Sequence, residues 1–147
     1  ILLLGGGFAL AAGCNATGLS AMVADTIDEV VKEWGIYQVM LFSTLSVSLL
    51  TEFMSNTASV SILLPMLAVL AGNIGQHPLT LMIPITVSSS FAFILPVATP
   101  PNAIVFGTGL IRSIDMARTG ILLDILAVLL WSTWCYFMLP YYFDIHY

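Results

Sequence analysis

The chain is interrupted twice by short polar strings, Ser55-Asn56-Thr57 and Ala98-Thr99-Pro100-Pro101-Asn102, and long apolar runs flank each string on both sides. In hydrocarbon, every unpaired backbone amide or carbonyl costs several kcal/mol, so irregular backbone at membrane depth persists only where protein encloses it or where it lines a wet cavity. Transporters use such interrupted helices to hold ions and substrates. The two strings therefore predict broken helices around a buried polar site.

The composition is typical of an integral membrane protein. Hydrophobic residues make up 59% of the chain, charged residues 7%, and the mean hydropathy is +1.03, whereas a soluble domain has roughly 45–50% apolar and about 25% charged residues. The first residue is Ile1 and no basic segment precedes an apolar stretch, so we identify no targeting segment and expect the 147 residues to be part of a longer transporter. Cys14 and Cys135 lie far apart in apolar surroundings, which favours neither a disulfide nor a metal motif.

Apolar runs and turns divide the chain into four predicted segments. They are a small-residue-rich helical segment with a polar loop (1–35), a re-entrant hairpin (36–71), a broken transmembrane helix (79–111) and a last transmembrane helix (119–140). The hairpin is predicted because only about 14 apolar residues follow the first break, short of the roughly 20 that a helix needs to cross a bilayer. Between these segments we expect a turn at 72–78 and a polar loop at 112–118.

The basic residues predict the orientation of the chain. Arg112 and Arg118 are two of the three Lys and Arg residues, and cytoplasmic loops carry an excess of such residues. The end of the chain, 141–147, has neither Lys nor Arg and is rich in tyrosine. We therefore expect the C-terminus to lie outside, in a plasma membrane or a bacterial inner membrane.

Both breaks have the chemistry of helix N-termini. Asn56 or Thr57 is suited to cap a helix that starts near Ala58, and Thr99 followed by Pro100 matches an N-cap with proline at the first helical position. A helix N-terminus carries roughly half a positive charge and offers free amide donors, so it favours an anion. The preceding segments end at the same breaks with exposed carbonyls, which favour a cation.

The charge distribution links the two ligands. No Lys or Arg occurs from Glu33 to Ile111, so an anion at the breaks lacks a fixed basic partner within this stretch. A hard cation such as sodium, held by oxygen atoms of Thr51 and Asn56, would offset the anion's charge. Each ligand would then raise the affinity for the other through a shared coupling energy of about 1–3 kcal/mol. This is the physical basis of symport.

Three stretches give the chain a family resemblance. They are residues 3–11 (LLGGGFALA), residues 51–58 (TEFMSNTA) and residues 90–103 (SFAFILPVATPPNA). The chain resembles, over essentially its whole length, the second half of the divalent anion/sodium symporters, whose members carry dicarboxylates, tricarboxylates or sulfate. The resemblance implies an all-α integral membrane fold: the second inverted repeat of an elevator-type transporter, homodimeric in the lipid bilayer, with a re-entrant helical hairpin, a discontinuous helix and a final transmembrane helix.

The resemblance also implies the roles of individual residues. The residues implied to bind substrate are Ser55, Asn56 and Thr57, with Thr99 and Pro100 on the opposing wall. The residues implied to bind sodium are Thr51 and Asn56, with Met54 and Ala98 through their carbonyls. The expected function is sodium-coupled symport of a dicarboxylate such as succinate or malate, with sodium as coupling ion and neither a cofactor nor a nucleic-acid partner.

Several alternatives stay open from the sequence. Sulfate or citrate are alternative substrates, and anion exchange or proton-coupled uptake are alternative modes on the same scaffold. A passive anion channel is less favoured, and an enzyme is not expected because Ser55 has no base nearby in the sequence. Glu52 fits either a structural partner of the hairpin or an ion-path or proton-linked role. Asp124 is expected to be a hydrated, structural residue near the inner interface.

Overall fold

The computed structural model describes residues 9, 12–14, 16–31 and 33–145, with the backbone alone at residues 20, 24 and 28–30. Most of the motif at 3–11, much of the start of the predicted segment 1–35, and the last two residues of the chain lie outside this part. The described chain is α-helical throughout its regular structure. Its helices are α1 (Leu19–Val31), α2 (Ile36–Thr51), α3 (Asn56–Asn73), α4 (Leu79–Ser88), α5 (Pro100–Gly107) and α6 (Ser113–Phe143).

The short helix α4 lies at the centre of the packing. It contacts α2, α3 and α6, while α1 packs along α3. The fully buried apolar side chains of this core come from several helices and include Met40, Leu70, Leu81, Ile85 and Cys135. The two arms of the predicted hairpin, α2 and α3, contact each other less than either contacts α4. The helix α4 therefore holds the two arms together.

Polar side chains join the helices inside this core. The hydroxyls of Thr44 and Ser132 lie 2.9 Å apart between α2 and α6, and Trp131 Nε1 donates to the carbonyl of Pro84 at 3.0 Å. Interhelical hydrogen bonds of this kind contribute about 0.6 kcal/mol each in membranes. These bonds fix the register of α6 against α2, which precedes the first break, and α4, which precedes the second.

The helix after the first break is longer than the sequence predicts. It begins at Asn56, with Ser55 as its N-cap, and ends at Asn73, so the expectation that Asn56 or Thr57 caps a helix starting near Ala58 is wrong by one or two residues. Its 18 residues span about 27 Å. By length and composition α3 and α6 are both able to cross a membrane. The length of α3 therefore does not by itself favour a re-entrant arm, and the hairpin remains a prediction.

The second break begins earlier than predicted. We expected the helix to continue to Val97 and the irregular backbone to occupy 98–102, but α4 already ends at Ser88 and the helix resumes at Pro100. Residues 89–99 are turns and irregular backbone. The break therefore lies almost entirely before the proline pair.

Local chemistry favours this early helix end. The hydroxyls of Ser88 and Ser89 donate to carbonyls of their own helix, at Ile85 (3.2 Å) and Thr86 (2.8 Å), and serine hydroxyls that bond to backbone in this way compete with helical hydrogen bonds. Pro96 has no amide to donate to a helix. Hydrogen bonds from distant residues, described below, satisfy the rest of the segment.

The last helix is also longer than its predicted span of 119–140. It runs for 31 residues, about 46 Å, and includes residues 113–118, which we predicted to form a polar loop. Arg112 is its N-cap residue and forms an ion pair with Asp115 at 2.8 Å. The buried residues of α6 form one stripe: Gly120, Asp124, Val128, Ser132, Cys135 and Leu139.

The first residue of this stripe lets α6 touch the second break. A Cβ atom added at Gly120 would lie 2.2 Å from the carbonyl oxygen of Phe93 and 2.7 Å from Cα of Ile94. Both atoms belong to backbone, which cannot turn aside as a flexible side chain does. Only glycine permits this approach.

We predict that Gly120→Ala lowers the free energy of unfolding by about 1–3 kcal/mol, the usual cost of overpacking. Thermal unfolding of the purified protein in detergent measures the effect. Gly107→Ala is the matched control, because a Cβ at Gly107 meets nothing within 4 Å. Equal stability of the two variants would contradict the close packing of α6 on the break.

Candidate functional site

The first break is a four-residue turn between α2 and α3. The fully buried Thr51 ends α2, and its hydroxyl contacts both Oδ1 of Asn56 and the carbonyl oxygen of Ser89, the latter at 2.8 Å. A threonine hydroxyl has one proton, so it donates to only one of these two acceptors. The oxygen atoms of Thr51, Asn56 and Ser89 thus converge from three segments, and the hydroxyl of Thr51 supplies the one proton that they share. Such an excess of acceptors suits a hard cation.

The N-termini of α3 and α5 both lie at breaks. Ser55 and Thr99 are the N-cap residues, their backbones are extended, and neither side chain makes a capping hydrogen bond. The prediction of Thr99 as an N-cap followed by Pro100 is confirmed. Both hydroxyls are therefore open to a ligand rather than engaged with their own helix.

The two N-termini differ in their supply of amide donors. In α5 the first two residues are Pro100 and Pro101, which have no amide hydrogen. In α3 the first residues are Asn56, Thr57 and Ala58, and the first three amides of a helix lack partners within it. The start of α3 is consequently the stronger hydrogen-bonding site for an anion, a difference that the expectation of two similar N-termini missed.

A cavity of about 390 Å³ lies between the two breaks. The residues that line it are Glu52, Phe53, Met54, Ser55, Leu95, Val97 and Ala98. The structure thus brings Met54, Ser55 and Ala98 together, and Thr51 and Asn56 touch each other beside them. Thr57 and Pro100 are exposed and do not line this cavity, although both belong to the first turns of their helices.

Glu52 joins the tip of the first break to the second break. Its side chain is 3% exposed, and its two carboxylate oxygens accept the amides of Ile94 and Leu95, each at 2.8 Å. Hydrogen bonds to a charged group contribute about 1.5–3 kcal/mol. The sequence left two roles open for Glu52, and the structure shows the first of them, that of a structural partner. Its partners lie in the second break rather than within the hairpin.

Asn102 completes the polar pairing of the second break. Its Nδ2 donates to the carbonyls of Ala92 at 2.7 Å and Leu95 at 3.0 Å. Glu52 thus supplies acceptors for the amides of the break, and Asn102 supplies donors for its carbonyls. The sequence placed Asn102 in the break without a role; its position just after a helix-starting proline pair was the available signal.

Asp124 lies behind the second break rather than at a hydrated interface, and that expectation is wrong. Its side chain is 2% exposed, its Oδ1 accepts the Ser48 hydroxyl at 3.3 Å, and it lies close to Glu52. The depth was misjudged because α6 begins at Ser113, which places Asp124 about three turns into the helix. Its spacing of four residues from Gly120 was the overlooked signal.

Comparison with known proteins agrees with this geometry. A family profile described as the sodium:sulfate symporter transmembrane region matches residues 1–140. The Na(+)/dicarboxylate cotransporter 3 of Rattus norvegicus is 51% identical over 132 residues, which cover 90% of this chain and 22% of that protein.

Two further relatives extend this comparison. The sodium-dependent high-affinity dicarboxylate transporter 3 of Caenorhabditis elegans is 44% identical over 144 residues, which cover 95% of this chain and 25% of that protein. The Na(+)/citrate cotransporter of Rattus norvegicus is 46% identical over 128 residues, which cover 87% of this chain and 22% of that protein. The chain spans a quarter or less of the length of these relatives. By its sequence and its interrupted helices, the chain belongs to the sodium:sulfate symporter family of integral membrane transporters.

Proposed function

We propose that the complete protein containing this chain takes up a dicarboxylate, such as succinate or malate, by symport with sodium. The observation that carries the proposal is the tip of the first break. There, the oxygen cluster of Thr51, Asn56 and Ser89 adjoins a helix N-terminus whose N-cap hydroxyl has no capping bond. The names of two relatives, the Na(+)/dicarboxylate cotransporter 3 of Rattus norvegicus and the dicarboxylate transporter 3 of Caenorhabditis elegans, support a dicarboxylate substrate.

The substrate would bind at the start of α3. A carboxylate there meets the Ser55 hydroxyl, the free amides of Asn56 and Thr57, and the positive end of the helix dipole. Thr99 adds a hydroxyl from the opposing wall, beside Pro100. No Lys or Arg occurs from 33 to 111, so these dipoles and a bound cation carry the charge compensation within this stretch.

Sodium would bind at the oxygen cluster beside the substrate. Thr51 Oγ1 and Asn56 Oδ1 are in contact, and the carbonyls of Met54 and Ala98, whose residues line the adjoining cavity, complete the proposed ligand set. An asparagine that gives its Oδ1 to a cation presents its Nδ2 on the other side of the amide plane. That group is a donor for the substrate carboxylate, so one side chain serves both ligands.

The wider architecture is part of this proposal. We infer an elevator-type homodimer of two inverted repeats in the lipid bilayer, in which this chain forms the second repeat. The helices α2 and α3 would form a re-entrant hairpin around the first break. The shared packing of both arms on α4 supports their acting as one unit. The positions of Arg112 and Arg118 support an outside C-terminus, in a plasma membrane or a bacterial inner membrane.

Citrate is the second candidate substrate, because the rat Na(+)/citrate cotransporter is 46% identical to this chain. Sulfate is a third, since the family description names it. All three are oxyanions that the start of α3 can bind. Discrimination among them depends on cavity residues beyond this chain, and uptake competition in the complete protein decides between them.

Asn56→Ala is predicted to weaken the binding of both sodium and succinate. Each should lose about tenfold in apparent affinity, because the variant removes an oxygen from the cation and an amide donor from the substrate, and a hydrogen bond to a charged group is worth about 1.5–3 kcal/mol. Sodium and succinate titrations of uptake in proteoliposomes measure the two effects.

Asn73→Ala is the matched control for this variant. Asn73 is the last residue of the same helix, exposed at its other end, where it bonds to Asp25. It should leave both titrations unchanged. A loss of sodium affinity in Asn56→Ala with normal succinate affinity at saturating sodium would disprove the dual role.

Thr99→Val is predicted to weaken the binding of substrate and to leave sodium binding unchanged. Valine keeps the shape of threonine and removes the hydroxyl, which makes no capping bond to α5, so the helix should remain intact. The KM for succinate should rise about fivefold to tenfold, in line with about 1 kcal/mol for a typical hydrogen bond. The sodium concentration for half-maximal uptake, measured at saturating succinate, should not change. An equal shift in both quantities would place Thr99 at the cation instead.

Transport itself is tested by labelled succinate uptake into proteoliposomes, with sodium, lithium and pH gradients applied separately. We expect accumulation against a concentration gradient only when sodium is higher outside, because symport draws its energy from the ion gradient. Uptake driven by the pH gradient alone would indicate proton coupling. Flux that needs no gradient and reaches channel-like rates would reject the carrier.

A further inference from the structure

Two buried carboxylates face each other behind the second break. Glu52 is 3% exposed and Asp124 is 2% exposed, and the two side chains lie close together. Carboxylates only accept hydrogen bonds. The amide of Phe93 lies near Asp124, yet within the described part of the chain no donor meets its Oδ2 with hydrogen-bond geometry. One buried carboxylate oxygen therefore lies beside a second carboxylate and has no hydrogen-bond donor of its own in the described chain.

Neighbouring groups add oxygen atoms but few protons. The fully buried Ser48 hydroxyl lies 3.1 Å from the carbonyl oxygen of Phe91 and 3.3 Å from Oδ1 of Asp124, and its one proton serves only one of them. The oxygens of Glu52 already accept the amides of Ile94 and Leu95. Oxygen atoms from α2, α6 and the break thus outnumber the protons available to them.

No fixed positive charge lies near this cluster in the described chain. Neither Lys nor Arg occurs from 33 to 111, and the one histidine of that stretch, His77, is exposed at the opposite end of α4. On α6, Arg112 and Arg118 are exposed near the helix start, and Arg112 is paired with Asp115. Two carboxylates buried side by side are costly unless a positive charge accompanies them.

We propose that Glu52, Asp124 and Ser48, with the carbonyl oxygen of Phe91, bind a sodium ion at a site separate from that of Thr51 and Asn56. Hard cations take oxygen ligands in just such mixed sets of carboxylate, hydroxyl and carbonyl. A proton bridging the two carboxylates would be shared by only two oxygen atoms, whereas an ion can be bound by all four groups. The convergence of oxygens from three segments favours the metal ion.

The ion would be linked to the substrate site through Glu52. This residue holds the amides of Ile94 and Leu95 with the same carboxylate that would bind the ion, and the other end of the break lines the substrate cavity. This linkage rests on the proposed symport for its role. Binding of the ion does not, because it can be measured without transport.

The test is Asp124→Asn in the complete protein. Its amide nitrogen would donate to Glu52 in place of the ion, and its oxygen would still accept the Ser48 hydroxyl, so the variant should fold. Labelled sodium bound per protomer should fall by one, and the Hill coefficient for sodium in uptake should fall by about one. Asp115→Asn is the control, because it makes the same change on the same helix at an exposed position. It should keep the full sodium count.

Whether the two sodium sites are separate is tested by combining substitutions at both. Thr51→Ala with Asp124→Asn should lose two sodium ions where each alone loses one; a loss of one in the double variant would overturn the second site. An unchanged count in Asp124→Asn would overturn it too. If that unchanged count were accompanied by altered proton uptake, Glu52 and Asp124 would hold a proton in place of sodium.

Ser48→Ala keeps the proposal testable if Asp124→Asn does not fold. It removes one neutral ligand and keeps both carboxylates, so sodium should bind about tenfold more weakly at one site, in the range seen when groups around a metal are removed. Unchanged affinity at every site would reject the proposal. Failure of succinate uptake with a normal sodium count would reject the proposed substrate and leave this site standing.

Discussion

Irregular backbone inside a membrane protein needs hydrogen-bond partners, and in this chain Glu52 supplies them. Its carboxylate accepts hydrogen bonds from the amides of Ile94 and Leu95, and Asn102 donates hydrogen bonds to the carbonyls of Ala92 and Leu95. Without these partners, unpaired amides and carbonyls would remain at membrane depth, at a cost of several kcal/mol each. The open loop, the cavity beside it and the close approach of Gly120 all depend on this pairing.

The same interaction joins the two breaks to each other. Glu52 follows Thr51 directly, so the residue that holds the second break is adjacent to the residue at the centre of the oxygen cluster. A change at either break therefore reaches the other through two hydrogen bonds of 2.8 Å. Cooperative binding of a cation and an anion needs such a link between their sites.

The sequence predicted those features that depend on neighbouring residues. The N-cap at Thr99 and the helix start at Pro100 follow from local backbone chemistry, the membrane class follows from composition, and the all-helical fold was implied by the family resemblance. The irregular course of residues 89–99 was missed, because besides the local signals at Ser88 and Ser89 it depends on Glu52, which is 42 residues distant in sequence from Ile94. Asp124 was misplaced for a related reason: the beginning of α6 was judged from polarity, and Arg112 to Arg118 are polar yet mostly helical. The roles of Thr51, Asn56 and the other predicted ligands remain predictions.

The carboxylate bridge also limits how the cavity can open. Glu52 joins its two walls, so parting them would break two hydrogen bonds of 2.8 Å. Shifting both walls together as one rigid body breaks neither. The elevator-type movement proposed above, in which the whole block would slide past its surroundings, would therefore meet less resistance than a spreading of the two walls.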